Sequence, residues 1–411
     1  MHRKKILAVA VAGALGMGSA GVALAAGGAG ESNYAIYGKL YPQVSSYDYS
    51  GASSNVAGND LVPGVGAQTN HTQRSTIDVN NSRIGFRGRE TLGGGQTAIF
   101  QIETRVRFDS GTSSVWAGGR NSFIGLTGAY GTFKLGNMDT AYKEVGDQFG
   151  FLGVSSGNFV SNSNLLAQGV GDISFHERQP NAIMYESPKV FGAQFLGTWG
   201  KDEFKGNPGV ATNRLLNSYG VTYEMGPLYL ALGHEIWKDL FMGSNSFSLV
   251  SNPTDGSDVR SRDSAIRGTV VLKFGGTKVS LDVSQLELKE TGVIATGNFA
   301  GYKSRRMAVG VEQKFGNITG AASVVNADEG TCTLAGGTSC STAGLEGRLM
   351  NLGGRYDFSR RTYVFALYSK LTNGTLATFS NIAINPNSGG AADPKAGEDV
   401  TAIGVGVSHS F

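Results

Sequence analysis

Segments of about ten residues with alternating apolar and polar positions recur along the whole chain. Residues 401–411 show the pattern most clearly, because the positions between the larger side chains hold only Ala, Gly and Ser. The larger side chains on the shared face include Ile403, Val405, Val407, His409 and Phe411. A period of two predicts a β-strand with one apolar and one wet face. That apolar face would point to the core in a soluble sandwich and to lipid in an outer-membrane barrel.

The same alternation predicts further strands in which the second face is strongly polar. Comparable patterns lie at 82–88, 265–274 and 307–315. A similar apolar face, expected to point outward, is predicted at Tyr363, Phe365 and Leu367. In the strand 98–107 one face carries Ala98, Phe100, Ile102 and Val106, and the other carries Gln101, Glu103, Arg105 and Arg107. Because a soluble core could not hide so polar a face, the pattern favours a barrel with a wet lumen.

Long polar connections and short Gly-rich turns alternate between these strands. Eight long connections joined by seven short turns predict about sixteen antiparallel strands, with both termini on the short-turn side. Closing the sheet also removes its exposed edges. Phe274, Phe315 and Phe358 end strands beside short turns, as an aromatic girdle at the membrane interface would. The long connections lie near residues 48–75, 109–118, 139–176, 201–213, 238–262, 290–302, 327–347 and 373–398.

The first 25 residues have the pattern of a secretory signal peptide. Arg3, Lys4 and Lys5 precede an apolar run that ends in Ala23-Leu24-Ala25, with Ala26 as an alternative cleavage position. We therefore expect residues 1–25 to be removed and residues 26–411 to form a single transmembrane barrel domain. Beyond the leader, no apolar run approaches the roughly 20 residues that a membrane-spanning helix requires.

Without the leader, the chain carries 32 Lys and Arg against 32 Asp and Glu, so it is close to neutral. It has no long basic block, and this argues against nucleic-acid binding, which needs clustered cations. Gly accounts for 62 of the 411 residues. Such abundant Gly disfavours helices and suits turns. An all-β fold is the simplest interpretation.

The sequence offers little support for catalysis or metal binding. Cys332 and Cys340 lie in a Gly-, Thr- and Ser-rich stretch without a nearby His, so a local disulfide is expected rather than a metal site. His234-Glu235 lacks the second His of a zinc-protease motif, and Gly93-Gly94-Gly95 lacks the Lys of a phosphate-binding loop. We expect no enzyme activity and no cofactor.

Periodicity alone leaves other folds open. Weak alternation also occurs in Gly-rich secreted β-helices and in lectin-like sandwiches, and each single segment is unspecific. The leader, the terminal strand and the unequal connections together favour the barrel.

Several segments resemble the Gram-negative general porins, with matches spread across the chain after the leader. The hairpin 81–95 with 98–103 resembles the second hairpin of that family, and residues 405–411 resemble its terminal strand. Weaker resemblances to the first, fourth, fifth and sixth strands lie at 35–39, 123–126, 131–136 and 178–188. The resemblance implies a homotrimer of sixteen-stranded barrels in the outer membrane of a Gram-negative bacterium, with short periplasmic turns and long extracellular loops.

The resemblance also implies a constriction between a third loop folded into the lumen, residues 139–175, and a ladder of cations on the wall. Matching positions of the basic ladder are Lys39, Arg83 and Arg178, and inward parity adds Arg87, Arg105 and Arg107. The candidates for the acidic side are Asp139, Glu144, Asp147 and Asp172. For Arg87, Arg105 and Arg107, a solvated wall position is as good an interpretation as a role in the constriction. In the family, a terminal aromatic residue, here Phe411, also marks the chain for the outer-membrane insertion machinery.

One departure from the family pattern affects selectivity. Many relatives have Gly-Arg after the fifth strand, whereas this chain has Gly136-Asn137, so one cation of the ladder is missing. The sequence therefore predicts a water-filled channel for passive diffusion of small hydrophilic solutes and ions, with the sign of its selectivity open. A channel specialised for an anion or one solute, and a surface adhesin or antigen on a barrel scaffold, remain alternatives.

Overall fold

The computed structural model describes eight stretches of the chain, and the predicted leader lies outside them. These stretches are residues 32–79, 81–109, 115–168, 174–201, 215–239, 261–290, 299–382 and 393–411.

Within these stretches the chain is almost entirely β-structure. The strands are β1 (Ser32–Leu40), β2 (Gln43–Ser50), β3 (Arg74–Asp78), β4 (Arg83–Gly93), β5 (Gln96–Val106), β6 (Trp116–Gly119), β7 (Ser122–Gly128), β8 (Gly131–Asp139), β9 (Arg178–Glu186), β10 (Ala193–Lys201), β11 (Leu215–Met225), β12 (Leu228–Lys238), β13 (Arg262–Phe274), β14 (Thr277–Lys289), β15 (Phe299–Phe315), β16 (Ile318–Ala327), β17 (Thr331–Leu334), β18 (Ser339–Cys340), β19 (Gly347–Asp357), β20 (Thr362–Asn373) and β21 (Asp399–Ser410). Two short helices are α1 (Ala141–Gly146) and α2 (Ser163–Leu166). The described residues contain no helix that is long and apolar enough to cross a membrane.

The strands form one closed antiparallel barrel with sixteen positions around it, as the sequence predicted. Each position, here called a stave, holds one strand or two consecutive strands. Three staves are interrupted and consist of β1 with β2, β3 with β4, and β6 with β7. The hairpin β17–β18 belongs to a long connection and pairs with the end of β15. The last strand closes the barrel on the first stave, where Lys39 pairs with Ser410 and Val44 pairs with Val405. Closure therefore pairs both sides of the barrel strands that the structure describes.

Tight turns at one end of the barrel depend on glycine. Gly226, Gly275 and Gly316 open two-residue turns with φ of 56°, 57° and 57°. A positive φ at the first turn position is the geometry of a type II′ hairpin, whose twist matches that of the paired strands. Glycine adopts this φ readily because it has no Cβ atom. The Gly-containing tight turns at 226–227, 275–276 and 316–317 therefore lie at the short-turn end.

An apolar band covers the outside of the barrel. Ile102, Ile266 and Met307 are exposed, and so are Ile403 and Val405 of the terminal strand. The aromatic residues predicted beside the short turns are also exposed, at Phe274, Phe315 and Phe358. The outward face predicted for these strands is confirmed, and it matches the lipid-facing surface of an outer-membrane barrel.

The orientation predicted for Phe365 and Leu367 in β20 is wrong. Both side chains point inward and are 5% and 3% exposed, whereas Val364 and Tyr368 face outward. The prediction assumed that the lumen face is wet throughout. In the structure Phe365 and Leu367 belong to an apolar cluster inside the barrel, formed with the third long connection.

The long connections pack against one another at the other end of the barrel. Leu61, in the first of them, is fully buried in a cluster with Leu345 and Leu376 of two later connections. The His71 amide donates a hydrogen bond of 2.6 Å to the carboxylate of Glu398, which joins the first connection to the last. Cys332 and Cys340 form a disulfide within the β17–β18 hairpin.

Candidate functional site

The connection between β8 and β9 lies against the inner wall of the barrel. Thr140 caps α1 by accepting a hydrogen bond from the Lys143 amide at 3.4 Å. The amides of Ala141 and Tyr142 donate to the buried hydroxyls of Thr198 and Ser218, at 3.1 and 2.9 Å. Since a helix begins with unpaired amides, inward-facing hydroxyls on β10 and β11 are suited to hold this end of α1.

Further along the same connection, wall side chains bind its backbone carbonyls. Ser284 donates to the Leu166 carbonyl at 2.7 Å, and Asn351 donates to the Val160 carbonyl at 3.0 Å. Phe159 and Leu165 are fully buried in the apolar cluster that contains Phe365. The connection therefore follows the wall from β10 past β20 to β2, where Asn158 donates to Gln43 at 2.8 Å. The part of the wall that faces the remaining opening is formed by β1, β4 and β5.

A buried ion-pair network anchors the end of α1. Arg267 of β13 binds Asp282, with 2.6 Å between Nε and Oδ1, and donates to the Gly146 carbonyl at 2.8 Å. It also lies 3.5 Å from Asp147, whose other oxygen is 2.5 Å from His176. Burial raises the pKa of Asp147, but His176 and Arg267 outweigh burial and hold that pKa below its ordinary value. Asp147 is therefore an anchor whose charge is compensated.

Three cations lie side by side on the part of the wall that faces the opening. The strand register places Lys39 of β1 opposite Arg83 of β4, and Arg83 opposite Arg105 of β5. Like charges at directly paired positions destabilise a sheet, so this row lowers the stability of the barrel. Among the described residues, no carboxylate lies within ion-pair distance of Lys39 or Arg105. The ammonium of Lys39 instead lies 4.6 Å from the centre of the Tyr41 ring.

Glu103 partly neutralises Arg83, the middle residue of this row. Its carboxylate forms an ion pair with Arg120, lies 3.6 Å from Arg83 and accepts a hydrogen bond of 2.9 Å from the Tyr37 hydroxyl. Arg120 lies at the bend between β6 and β7, where the Asn137 amide donates to its carbonyl at 3.1 Å. Asn137 occupies the position where an Arg of the ladder was expected. It contacts Arg120, which brings another cation to the same region.

Asp139 is neutralised where α1 begins. Its carboxylate lies 2.9 Å from Lys143 and 3.0 Å from Arg178, and it accepts a hydrogen bond of 2.8 Å from Asn121. Arg178 also donates to Asn121. These contacts join β8, β9 and α1, so Asp139 and Arg178 position the start of the connection.

Glu144 occupies the side of α1 that faces the opening. It lies within electrostatic range of Lys134, which pairs with Glu186. Burial raises the pKa of Glu144 to about 8, and the nearby carboxylates of Glu186 and Asp139 act in the same direction while Lys134 opposes them. At neutral pH this carboxyl group is therefore mostly protonated and adds little negative charge to the opening.

The space between α1 and the part of the wall formed by β1, β4 and β5 is a cavity of about 280 Å³. Predicted site residues that line it are Arg83, Arg87, Asp139, Glu144 and Asp147. Predicted residues outside its lining are Lys39, Arg105, Arg107 and Arg178. The strand register and the contacts above nevertheless bring Lys39, Arg105 and Arg178 close to it. Asp172 lies outside the described residues.

Sequence reasoning missed several charged residues at this site. Lys134 could have been found from the alternation of β8, in which Phe133 and Leu135 are exposed on the outer face. Arg120 follows a bend and has no regular parity, so alternation gives no signal for it. Arg267 alternates with exposed Ile266 but lies more than a hundred residues from α1, and only the closed barrel brings them together.

The described residues contain no group of three or more His, Cys, Asp or Glu side chains placed to hold a metal ion. The opposed charges beside a narrow opening can orient and attract polar solutes without bond chemistry.

Comparison with known proteins gives the same picture. The sequence profile of the Gram-negative porin family matches residues 8–376. The chain is 27% identical to the major outer membrane protein P.IB of Neisseria lactamica, over 74% of this chain and 82% of the relative. It is 26% identical to P.IB of Neisseria meningitidis serogroup B, over 71% and 76%.

Solved structures of outer-membrane proteins share the fold. An anion-selective porin from Comamonas acidovorans superposes with a TM-score of 0.68 at 22% identity and covers 93% of this chain and 100% of its own. OmpT of Vibrio cholerae superposes with a TM-score of 0.60 at 14% identity, covering 92% and 98%. The chain is therefore an integral β-barrel of the bacterial outer membrane that forms a passive diffusion channel for solutes, and it belongs to the Gram-negative porin family.

Proposed function

We propose that this channel favours anions over cations and that the row formed by Lys39, Arg83 and Arg105 sets the preference. The supporting observation is the absence of a carboxylate partner for Lys39 and Arg105 within the described chain. Positive charge without a carboxylate partner in a narrow wet neck raises the local concentration of anions and repels cations.

The acidic side of the neck supports the same sign. Asp139 is paired with Lys143 and Arg178, and Asp147 is paired with His176 and Arg267. The charges of such a pair largely cancel, so the pair contributes little to the electric field across the opening. Although Arg and Lys on the wall face acidic residues on α1, the field across the opening is therefore dominated by the wall.

The test is the reversal potential of the purified protein in a planar bilayer under a KCl gradient. The triple variant Lys39→Gln, Arg83→Gln, Arg105→Gln should shift the reversal potential toward cation selectivity. The matched control removes three cations at the short-turn end, with Lys273→Gln, Arg360→Gln and Arg361→Gln, and should cause a much smaller shift. Equal shifts in the two triple variants would show that net charge, rather than the row, sets selectivity.

Roles also follow for the remaining candidates. Arg178 acts with Asp139 as a positioning residue for α1, since both are held by the same contacts to Asn121. Arg87 and Arg107 have no carboxylate within ion-pair distance in the described chain and add to the positive field.

Assembly and processing are part of the proposal. The functional unit is a homotrimer, a state that is also named for one solved form of Vibrio cholerae OmpT. Phe411 is the recognition signal for the insertion machinery, and residues 1–25 are the leader. Conductance steps in groups of three would support the trimer, and a purified protein that starts at Ala26 would support the cleavage position. The channel carries no catalytic activity and needs no cofactor.

A further inference from the structure

The cavity beside α1 combines cationic and apolar surfaces. Its charged lining comprises six cations, Arg83, Arg87, Arg120, Lys134, Lys143 and Lys189, and five carboxyl groups, Glu103, Asp139, Glu144, Asp147 and Glu224. Four of these carboxyl groups are paired, Glu103 with Arg120, Asp139 with Lys143, Asp147 with His176 and Glu224 with Lys189. Its apolar and aromatic lining comprises Tyr37, Phe123, Val145, Leu196 and Tyr229. Val145, Leu196 and Tyr229 are buried and hold α1 against the wall. The remaining rings, Tyr37 and Phe123, are partly exposed to the cavity, and their apolar surface offers no favourable contact to a hydrated inorganic ion.

Arg87 is the cation with the fewest polar contacts in this lining. Its guanidinium carbon lies 4.9 Å from the centre of the Tyr37 ring, and its Nε atom makes no hydrogen bond. No carboxylate of the described chain lies within ion-pair distance of it. The Tyr37 hydroxyl is held by Glu103, so the ring that supports Arg87 is fixed. Arg87 is therefore oriented by a ring face while its charge-assisted donors remain available.

Phe123 presents a second ring to the same cavity. The ammonium of Lys134 lies 5.0 Å from the centre of this ring, and Phe123 packs against the cluster that contains Val145 and Leu196. Val145 and Leu196 are buried in that cluster, so the partly buried Phe123 ring is the surface that the cavity can use. Phe123 lines the same cavity as Arg87, and a volume of about 280 Å³ is near the lower end of the range for small-ligand pockets.

We propose that this cavity is a binding site for a monocyclic aromatic carboxylate, with the carboxylate on Arg87 and the ring against Phe123. The inference rests on the proposed anion preference and names the solute class that the neck retains. A small aliphatic anion satisfies only the cation, and a neutral aromatic alcohol satisfies only the ring surface. An aromatic carboxylate satisfies both, since bidentate Arg–carboxylate bonds and aromatic contacts add to one another.

The probe is sodium benzoate, added to the wild-type channel in a planar bilayer at constant ionic strength, with acetate and benzyl alcohol as comparison solutes. Benzoate should reduce the current in a saturable way. Acetate should need a concentration about tenfold higher, because it lacks the ring contacts. Benzyl alcohol should give no saturable block.

Two substitutions test the assigned contacts against a matched control. Arg87→Gln should raise the half-blocking benzoate concentration about tenfold, as expected for loss of a hydrogen bond to a charged group. Phe123→Ala should weaken the block by benzoate but leave that by acetate unchanged. Arg89→Gln removes the same charge two residues along the same face of β4, outside the cavity lining, and should leave the block unchanged.

Equal block by benzoate and acetate, or equal effects of Arg87→Gln and Arg89→Gln, would overturn the inference in favour of simple attraction of anions. Calorimetric titration of the detergent-solubilised protein with benzoate gives a readout that is independent of conductance. Anion-selective conductance without benzoate binding would refute the binding site alone. Saturable benzoate binding that Arg87→Gln weakens would support the site even if the reversal potential contradicted the anion preference.

Discussion

At the level of single residues, environment rather than residue type decides which charges act in the neck. Asp139, Glu144 and Asp147 are all acidic and all lie near the start of the third connection. Asp139 and Asp147 are paired with cations, whereas Glu144 is raised in pKa by burial. Three carboxyl groups that look alike in the sequence therefore contribute differently to the field.

The raised pKa of Glu144 predicts that the ion selectivity of the channel depends on pH. Its pKa of about 8 means that the charged form becomes populated as the pH rises through that value. A carboxylate beside the opening then opposes the cation row, so anion preference should fall between pH 7 and pH 9, taken as about one unit on either side of the pKa. The reversal potential measured across this range gives the result. Glu144→Gln should remove the dependence and the exposed control Glu177→Gln should keep it; a dependence that survives Glu144→Gln would assign it elsewhere.

At the level of elements, α1 is too short to be stable by itself. Six residues form fewer than two turns, and isolated helices of this length do not persist in water. The wall supplies what the local sequence lacks, through the hydroxyls of Thr198 and Ser218 at one end and Arg267 at the other. The sequence could place a loop between β8 and β9, but its path depends on strands far along the chain.

Substitution of Arg267 should weaken the anchoring of α1 and the third connection to the wall. Arg267→Gln leaves Asp282 and Asp147 without their shared cation, and breaking such a buried pair typically costs about 3–5 kcal/mol. We expect greater current noise in single channels and a lower unfolding temperature in detergent. Lys189→Gln, which breaks the exposed pair with Glu224, should change stability by less than about 1 kcal/mol. Similar losses in both variants would contradict the anchoring role.

At the level of the whole molecule, Phe411 both completes the barrel and ends the chain. Its amide and carbonyl exchange hydrogen bonds of 3.1 Å with Gly38, so deleting the residue would damage the seam as well as remove the aromatic ring. Substitution separates the two roles because it keeps the backbone bonds.

Phe411→Ala should lower the yield of membrane-inserted trimer in cells while leaving the conductance of the assembled channel unchanged. Phe358→Ala removes another exposed aromatic ring at the short-turn end and should have a smaller effect on yield. Quantitative blotting of outer-membrane fractions, followed by bilayer recording, measures both quantities. Full yield of the Phe411 variant would refute the signal role, and a yield restored only by refolding in vitro would support it.

The alternation of side chains and the lengths of the connections determined the number of strands in the barrel, its closure by the terminal strand and, except in β20, the outward face of the strands that were predicted. These features follow from local periodicity and from connection length, which the chain displays directly. The same local evidence placed Arg105 on the inner face, whereas Lys39 and Arg83 were assigned to the basic ladder from the resemblance to the porin family.

Only the tertiary structure decided which inward residues meet. Phe365 and Leu367 are buried because the third connection packs against the inner wall and excludes water from that part of it. Arg267 reaches Asp147 because closure brings distant strands around one opening. The pairing of Asp139 and the position of Arg120 likewise depend on register and bends. Period-two alternation tells inside from outside, but contacts across the lumen are non-local and arise only when the barrel closes.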